Sequence, residues 1–287
     1  MPFYIYAWIG AIISGLFVIT AKLTSKHSIK NPWLFNFLLA AVTLLFTIPP
    51  AVYYHATLPN GWLLVILAGF FATLNTIFYI FSNANLDVSV FMPLYNFRNI
   101  FTLLIGFLFF NERFPEFKLF YIGLIIIAGV FTSLDEKFSL KSFFKITIAI
   151  GLLTVLISAI NSALTKGVLM NNDLWTTNLW IAIINFLLLL PTIPLFRKDL
   201  KTLDRAHITP VVLMGLFFTV SIFATNKAYE SSYSITSLIM VMPFSMIFAF
   251  MFSVFAPKLL EKHTLKIYAI RFSSAAVMIW AAIQLTG

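Results

Sequence analysis

Residues 87–113 read DVSVFMPLYNFRNIFTLLIGFLFFNER. The segment is apolar and long enough to cross a bilayer. Yet Pro93, Tyr95, Asn96, Arg98, Asn99 and Thr102 crowd its first half, and Glu112-Arg113 close it. An arginine with about ten mostly apolar residues on each side has no easy route to water. At the centre of a bilayer helix it costs about 2.5–3.5 kcal/mol on insertion scales, so it is usually aimed at a cavity or a partner.

The chain around this helix is built for lipid. Of its 287 residues, 61% are hydrophobic and 10% charged, whereas a soluble domain has about 45–50% apolar and about 25% charged residues. The mean hydropathy is +0.96. A soluble globule is excluded. With no cysteine in the chain, disulfides, thiolate metal sites and cysteine nucleophiles are excluded too. The net charge of +9 does not point to nucleic acid as a partner. The basic residues sit in short connectors beside apolar spans, as topology-setting charges do. The N-terminal stretch is apolar from the start and lacks a basic leader region, so it reads as a retained first span.

A span needs about 20 mostly apolar residues to cross a core of about 30 Å. Ten segments meet this test, at 3–22, 33–54, 62–83, 88–110, 118–134, 146–166, 175–196, 208–228, 233–256 and 267–285. Backbone groups in lipid must be satisfied within each segment, so the expected class is an all-α integral membrane protein. An offset of 144 residues brings Ser14 onto Ser158, Lys22 onto Lys166, Pro50 onto Pro194 and Ala84 onto Ala228. Further on the register slips by about five, and Glu112 meets Glu261. Two five-helix units are therefore expected, 1–136 and 141–287. Five is odd, so the units cross the membrane in opposite senses, the inverted repeat common in secondary transporters. One side of the expected topology carries 13 Lys and Arg and the other four. The positive-inside rule then puts both termini outside the cytoplasm.

Span three carries Asn75, Tyr79, Ser82 and Asn83 on one helical face, and the repeat-related span eight carries Thr219, Asn226 and Lys227. Span four offers Tyr95, Arg98 and Thr102 on a shared face with Asn99 beside it; span six offers Ser158, Asn161, Ser162 and Thr165. Two readings compete. One is a wet cavity whose Arg98 attracts a carboxylate or phosphate. The other is packing, with hydroxyls and amides bonding between helices for about 0.6 kcal/mol each and Arg98 paired to Asp87 or Glu230. Lys22 and Lys166 end spans in both halves and suit a helix-end or gating role. Glu112 and Glu261 follow spans four and nine, unfavourably placed for the dipoles of those helices, so each needs a partner, with Arg113 and Lys262 nearest in sequence. Pro93 and Pro243 interrupt corresponding helices, a pointer to a binding site or gate. No HExxH, P-loop or GxSxG motif occurs, and the four histidines lie in connectors without a metal pattern. No enzyme chemistry, cofactor or metal is expected.

The Lys22 and Lys166 span ends, with FLFFNERFPEFKLFYIGLIIIAGV after span four, resemble the EamA-like family of the drug/metabolite transporter superfamily. Glu112, Arg113, Gly123 and Gly129 carry the likeness, while Glu261-Lys262-His263 copies it weakly in the second half. The resemblance implies a secondary transporter in the cell's inner membrane, exporting an amino acid or other small polar or anionic solute by alternating access. Its partners would be the lipid bilayer, the solute and a coupling ion or exchanged solute, as a monomer or homodimer. The family habit of cytoplasmic termini runs against the charge count. The alternatives are a membrane-embedded transferase or hydrolase and a non-transporting membrane subunit.

Overall fold

The computed structural model describes residues 1–85, 95, 97–132, 146–255 and 265–286. The elements among them are all helical: α1 (Phe3–His27), α2 (Pro32–Tyr53), α3 (Trp62–Asn85), α4 (Arg98–Phe109), α5 (Glu116–Thr132), α6 (Ile146–Leu169), α7 (Leu174–Leu189), a 3-10 turn (Leu190–Leu195), the short α8 (Arg197–Leu200), α9 (Arg205–Tyr229), α10 (Tyr233–Met240), α11 (Phe244–Phe255) and α12 (Leu265–Thr286). Eight helical stretches among the described residues are long and apolar enough to cross a membrane; Arg98–Phe109 is a shorter apolar helix. Large apolar side chains face outward on them, Leu63, Leu108 and Phe109 among the most exposed. So many exposed large apolar side chains have lipid as their natural solvent.

Several expected ends move. α1 runs on to His27 and α6 to Leu169, so Lys22 and Lys166 lie inside their helices and do not end them. Helices continue past the hydrocarbon boundary wherever polar residues keep helical propensity. Pro49 and Pro50 sit inside the last turns of α2. Pro243 does interrupt its span: α10 ends at Met240 and α11 starts at Phe244. Proline cannot donate the next helical bond, which leaves a carbonyl upstream without its usual donor. Pro93 and Glu261 lie outside the described residues, as do Asn96 and Asp87.

The helices pair in a definite pattern. α1 packs on α9 and α3 on α6; α2 packs on α7, and α5 on α12. α3 also meets α7, as α2 meets α9; α4 meets α6, as α1 meets α10 and α11; α4 and α10 meet each other. One apolar core joins Ala7 and Ala11 to Ile125, Leu238, Ile239, Met278 and Ala281. A second joins Phe17, Leu34, Leu39 and Met214 with Phe196.

Connectors mark the two ends of the bundle. Asn60 N–H donates to Asn172 Oδ1 at 2.6 Å, and Asn172 Nδ2 donates back to Asn60 O at 3.1 Å. Lys118 Nζ donates to the carbonyl of Leu285 at 3.1 Å. Together with the contacts of Glu112 described below, these bonds gather residues 54–61, 110–115, 170–173 and 230–232 and the C-terminal end of α12 at one end, called here the Glu112 end. At the other end Asn31 Nδ2 donates to Asp199 Oδ2 at 2.6 Å. Back at the Glu112 end, Asp173 caps α7, accepting from the Trp175 and Thr176 N–H groups at 2.8 and 3.0 Å. Partial burial pushes its carboxyl upward, but the Thr176 and Trp175 hydrogen bonds outweigh this and hold it below the usual carboxylate range.

Candidate functional site

Arg98 is the first residue of α4 and its side chain is buried, 7% exposed. α4 runs 12 residues to Phe109, so Arg98 lies roughly 18 Å from the Glu112 end at 1.5 Å rise per residue. The guanidinium reaches back toward that end: one terminal nitrogen donates to Tyr229 Oη at 3.3 Å. Its Nε is buried without a hydrogen-bond partner among the described residues. Tyr229 is 3% exposed, and its Oη also meets Ser237 Oγ of α10 at 3.3 Å. Its ring lies 5.6 Å from that of Tyr233, whose Oη donates to Ala159 O at 2.9 Å and meets Ser162 Oγ at 3.2 Å. Tyr95 Oη meets Ser158 Oγ at 3.3 Å, and the Tyr79 ring stands edge-on to Tyr95 at 6.0 Å.

Tyr79, Tyr95 and Ser158 are thus brought together from the third, fourth and sixth expected spans, with Arg98 three residues after Tyr95. Three amides flank them. Asn99 is 1% exposed, and neither end of its amide has a partner among the described residues. The buried Oδ1 atoms of Asn75 and Asn161 are likewise unmet. Asn75 stands one turn before Tyr79 and Asn161 one turn after Ser158, so each shares its neighbour's face. An unmet buried polar atom costs about 1–3 kcal/mol, and clusters of them are usually satisfied by water or by a ligand.

Other expected residues have partners among the described residues. Asn226 Nδ2 donates to Asn178 Oδ1 at 2.6 Å, a bond between α9 and α7. Glu230 pairs with Lys227 at 2.5 Å and is not the counter-ion of Arg98. Arg113 is not the partner of Glu112. Instead, Glu112 Oε1 accepts from the Tyr233 N–H at 2.7 Å and from Ser232 Oγ at 3.2 Å, while Oε2 accepts from the Ser234 N–H at 2.9 Å. The carboxylate is poorly placed for the dipole of its own helix and well placed for the N-terminus of α10. Lys166 is its complement, donating to the carbonyls of Tyr229 and Glu230 at 2.7 and 3.0 Å, where α9 ends and a cation is favoured.

Local geometry aims Glu112. Asn111 adopts a left-handed conformation (φ 53°), and Gly106 O accepts from both Phe110 N–H at 3.2 Å and Glu112 N–H at 3.0 Å. This left-handed helix stop turns the chain toward α10. Gly106 makes the approach feasible, since a Cβ there would stand 2.1 Å from Ser234 Oγ and 2.9 Å from Glu112 Oε2. Tyr229, Tyr233 and Ser237 were not singled out from sequence. The sequence signal for the two tyrosines is the polar YESSY run at 229–233, and Ser237 lies outside it.

A solved structure described only as "Crystal structure of protein" is similar over 98% of this chain and 97% of its own, with a TM-score of 0.74. At 12% identity that likeness speaks for the fold alone. Comparison with curated proteins finds no match. The model of the EamA-like transporter family matches residues 1–134, which hold Arg98, Tyr95, Asn99 and Glu112. Residues 1–134 are thus similar to the EamA-like transporter family, which belongs to the drug/metabolite transporter superfamily.

Proposed function

We infer that the chain is a secondary transporter that moves a small anionic metabolite, an amino acid or a comparable acid, by alternating access. The observation that carries this reading is Arg98. It is a buried guanidinium with one phenolic partner, an unmet Nε and no ion pair to a carboxylate of the described residues. A fixed cation inside an apolar bundle is costly to leave alone, and an arriving carboxylate would meet its fork with two donors. Tyr95, Ser158, Asn99, Asn75 and Asn161 supply neutral polar groups for the rest of a solute.

The helix pairings support an inverted repeat. Exchanging the first five spans for the second five turns the α1–α9 contact into the α6–α3 contact, and the α4–α6 contact into that of α10 and α11 with α1. The α2–α7 and α5–α12 contacts map onto themselves. A pairing scheme that survives this exchange is the one two related halves would make. The membrane is the plasma membrane, the direction export, and the driving force an ion gradient or an exchanged solute.

The test is a thermal-stability screen of the purified protein against carboxylates, phosphate esters and amino acids, followed by flux of the hit in vesicles without ATP. A ligand present at about 100 times its Kd stabilises the folded state by roughly 2.7 kcal/mol. The expected hits are anions, and their flux proceeds without nucleotide. Hits confined to cations, or strict ATP dependence, reject the reading.

A further inference from the structure

The break between α9 and α10 is held by opposite charges from two other helices. Lys166 of α6 binds the last carbonyls of α9, and Glu112, just past α4, binds the first N–H groups of α10. Four elements are tied at one point. Gly106 of α4 lies against Ser234 there, and Tyr233 Oη is bonded to Ala159 and Ser162 of α6. Charge-assisted bonds of this kind are about twice as strong as neutral ones. These bonds fix residues 229–234 between α4 and α6 at the Glu112 end.

Tyr229 connects this point to Arg98. Its carbonyl receives Lys166, and its phenol receives Arg98 and meets Ser237. One residue is thus held by α6 at its backbone and by α4 and α10 at its tip. An anion on Arg98 would compete for the nitrogen that now bonds Tyr229.

We propose that Lys166 and Glu112 form a clasp that closes the Glu112 end of the pathway, and that Tyr229 is the positioning residue through which occupancy of Arg98 loosens it. The proposal rests on the transporter reading for its purpose, but the clasp can be tested without any solute. The cysteine-free chain allows a single reporter. Thr102 is fully buried, lies between Arg98 and Gly106 on α4, and bonds only to the Asn99 carbonyl of its own helix. Thr102→Cys is introduced, the protein is sealed into lipid vesicles, and a membrane-impermeant thiosulfonate is added. A separate Leu58→Cys protein, exposed in the connector at the Glu112 end, identifies vesicles that present this end to the reagent.

Modification of Thr102→Cys from that end should be slow in the parent. It should rise by about tenfold or more with Lys166→Met or Glu112→Gln, the scale of one lost charge-assisted bond. Lys166→Arg keeps a donor and should stay slow, which separates release of the clasp from loss of structure. Unchanged rates in both Lys166→Met and Glu112→Gln overturn the clasp. Equal acceleration in Lys166→Arg also overturns it. For the coupling, chloride on one hand and the anion found by the stability screen on the other are added to the parent and to Tyr229→Phe. The screened anion should speed modification in the parent and not in Tyr229→Phe. An equal anion effect in both overturns the role of Tyr229. Because the clasp measurement uses no solute, its failure is distinct from a failure to find a transported anion.

Discussion

At the scale of single residues, Arg98 decides most. Replacing it with Ala removes the fixed cation, and binding of an anionic solute should weaken by about 2 kcal/mol or more, roughly 30-fold. Arg98→Lys keeps the charge but loses the planar fork, so it should retain part of the affinity and not all of it. Both are checked by titrating the hit of the stability screen; unchanged affinity in Arg98→Ala removes the residue from the site. Gly106→Ala tests close packing instead. Its methyl would overlap Ser234 Oγ, and overpacking of this kind costs about 1–3 kcal/mol. The melting temperature should fall, and an unchanged one would mean that α4 and α10 can separate there freely. Arg98 was legible because a charge inside an apolar run has few explanations. Tyr229 and Tyr233 were not, because a tyrosine at a span end is ordinarily an interfacial anchor. Only the fold shows that these two are buried.

At the scale of elements, sequence located the helices well and misjudged what their ends do. Most apolar runs match the described helices to within a few residues, while the expected start of span four at 88 lies outside the described residues and α7 gives way to a 3-10 turn at Leu190; Pro243 marks the α10–α11 break. The partner of Glu112 could not be read, because it is a helix terminus about 120 residues away, made of backbone N–H groups that every sequence possesses. Asp173 is a cap of the same kind within reach of sequence: it precedes α7 directly and accepts two of its first N–H groups. Asp173→Ala should cost about 0.5–2 kcal/mol, typically about 1. Its pH dependence has a definite sign. The folded state holds this carboxyl below its unfolded range, so the stabilisation is complete above about pH 4 and fades as the pH falls through the folded value. The gap in melting temperature between parent and Asp173→Ala should therefore be full at neutral pH and close on acidification. A gap that widens in acid contradicts the capping account.

For the whole molecule, the arrangement of the termini sets the last test. Residue offsets such as Lys22 to Lys166 suggest two units, and the exchange-invariant pairings support the inverted repeat proposed above. Which way the bundle faces is a separate matter, decided by charge at the two ends. The Lys118 bond to Leu285 holds the C-terminal end of α12 at the Glu112 end. The described residues in and beside the connectors there include four basic ones, Arg113 in a connector and Lys118, Lys166 and Lys227 in the adjoining helix turns. The opposite end has Lys22, Lys26 and Lys30, and Arg197, Lys198, Lys201 and Arg205 around the short α8. Since basic connectors are retained in the cytoplasm, a reporter fused after Gly287 should score as external, and one inserted after Lys201 as cytoplasmic. The two insertions must give opposite scores, because α9 to α12 carry the chain from one end of the bundle to the other. If Gly287 scores cytoplasmic and Lys201 external, the family habit prevails over the charge count. The Glu112 end would then face the cytoplasm, and the clasp would guard the inner mouth of the pathway instead of the outer one.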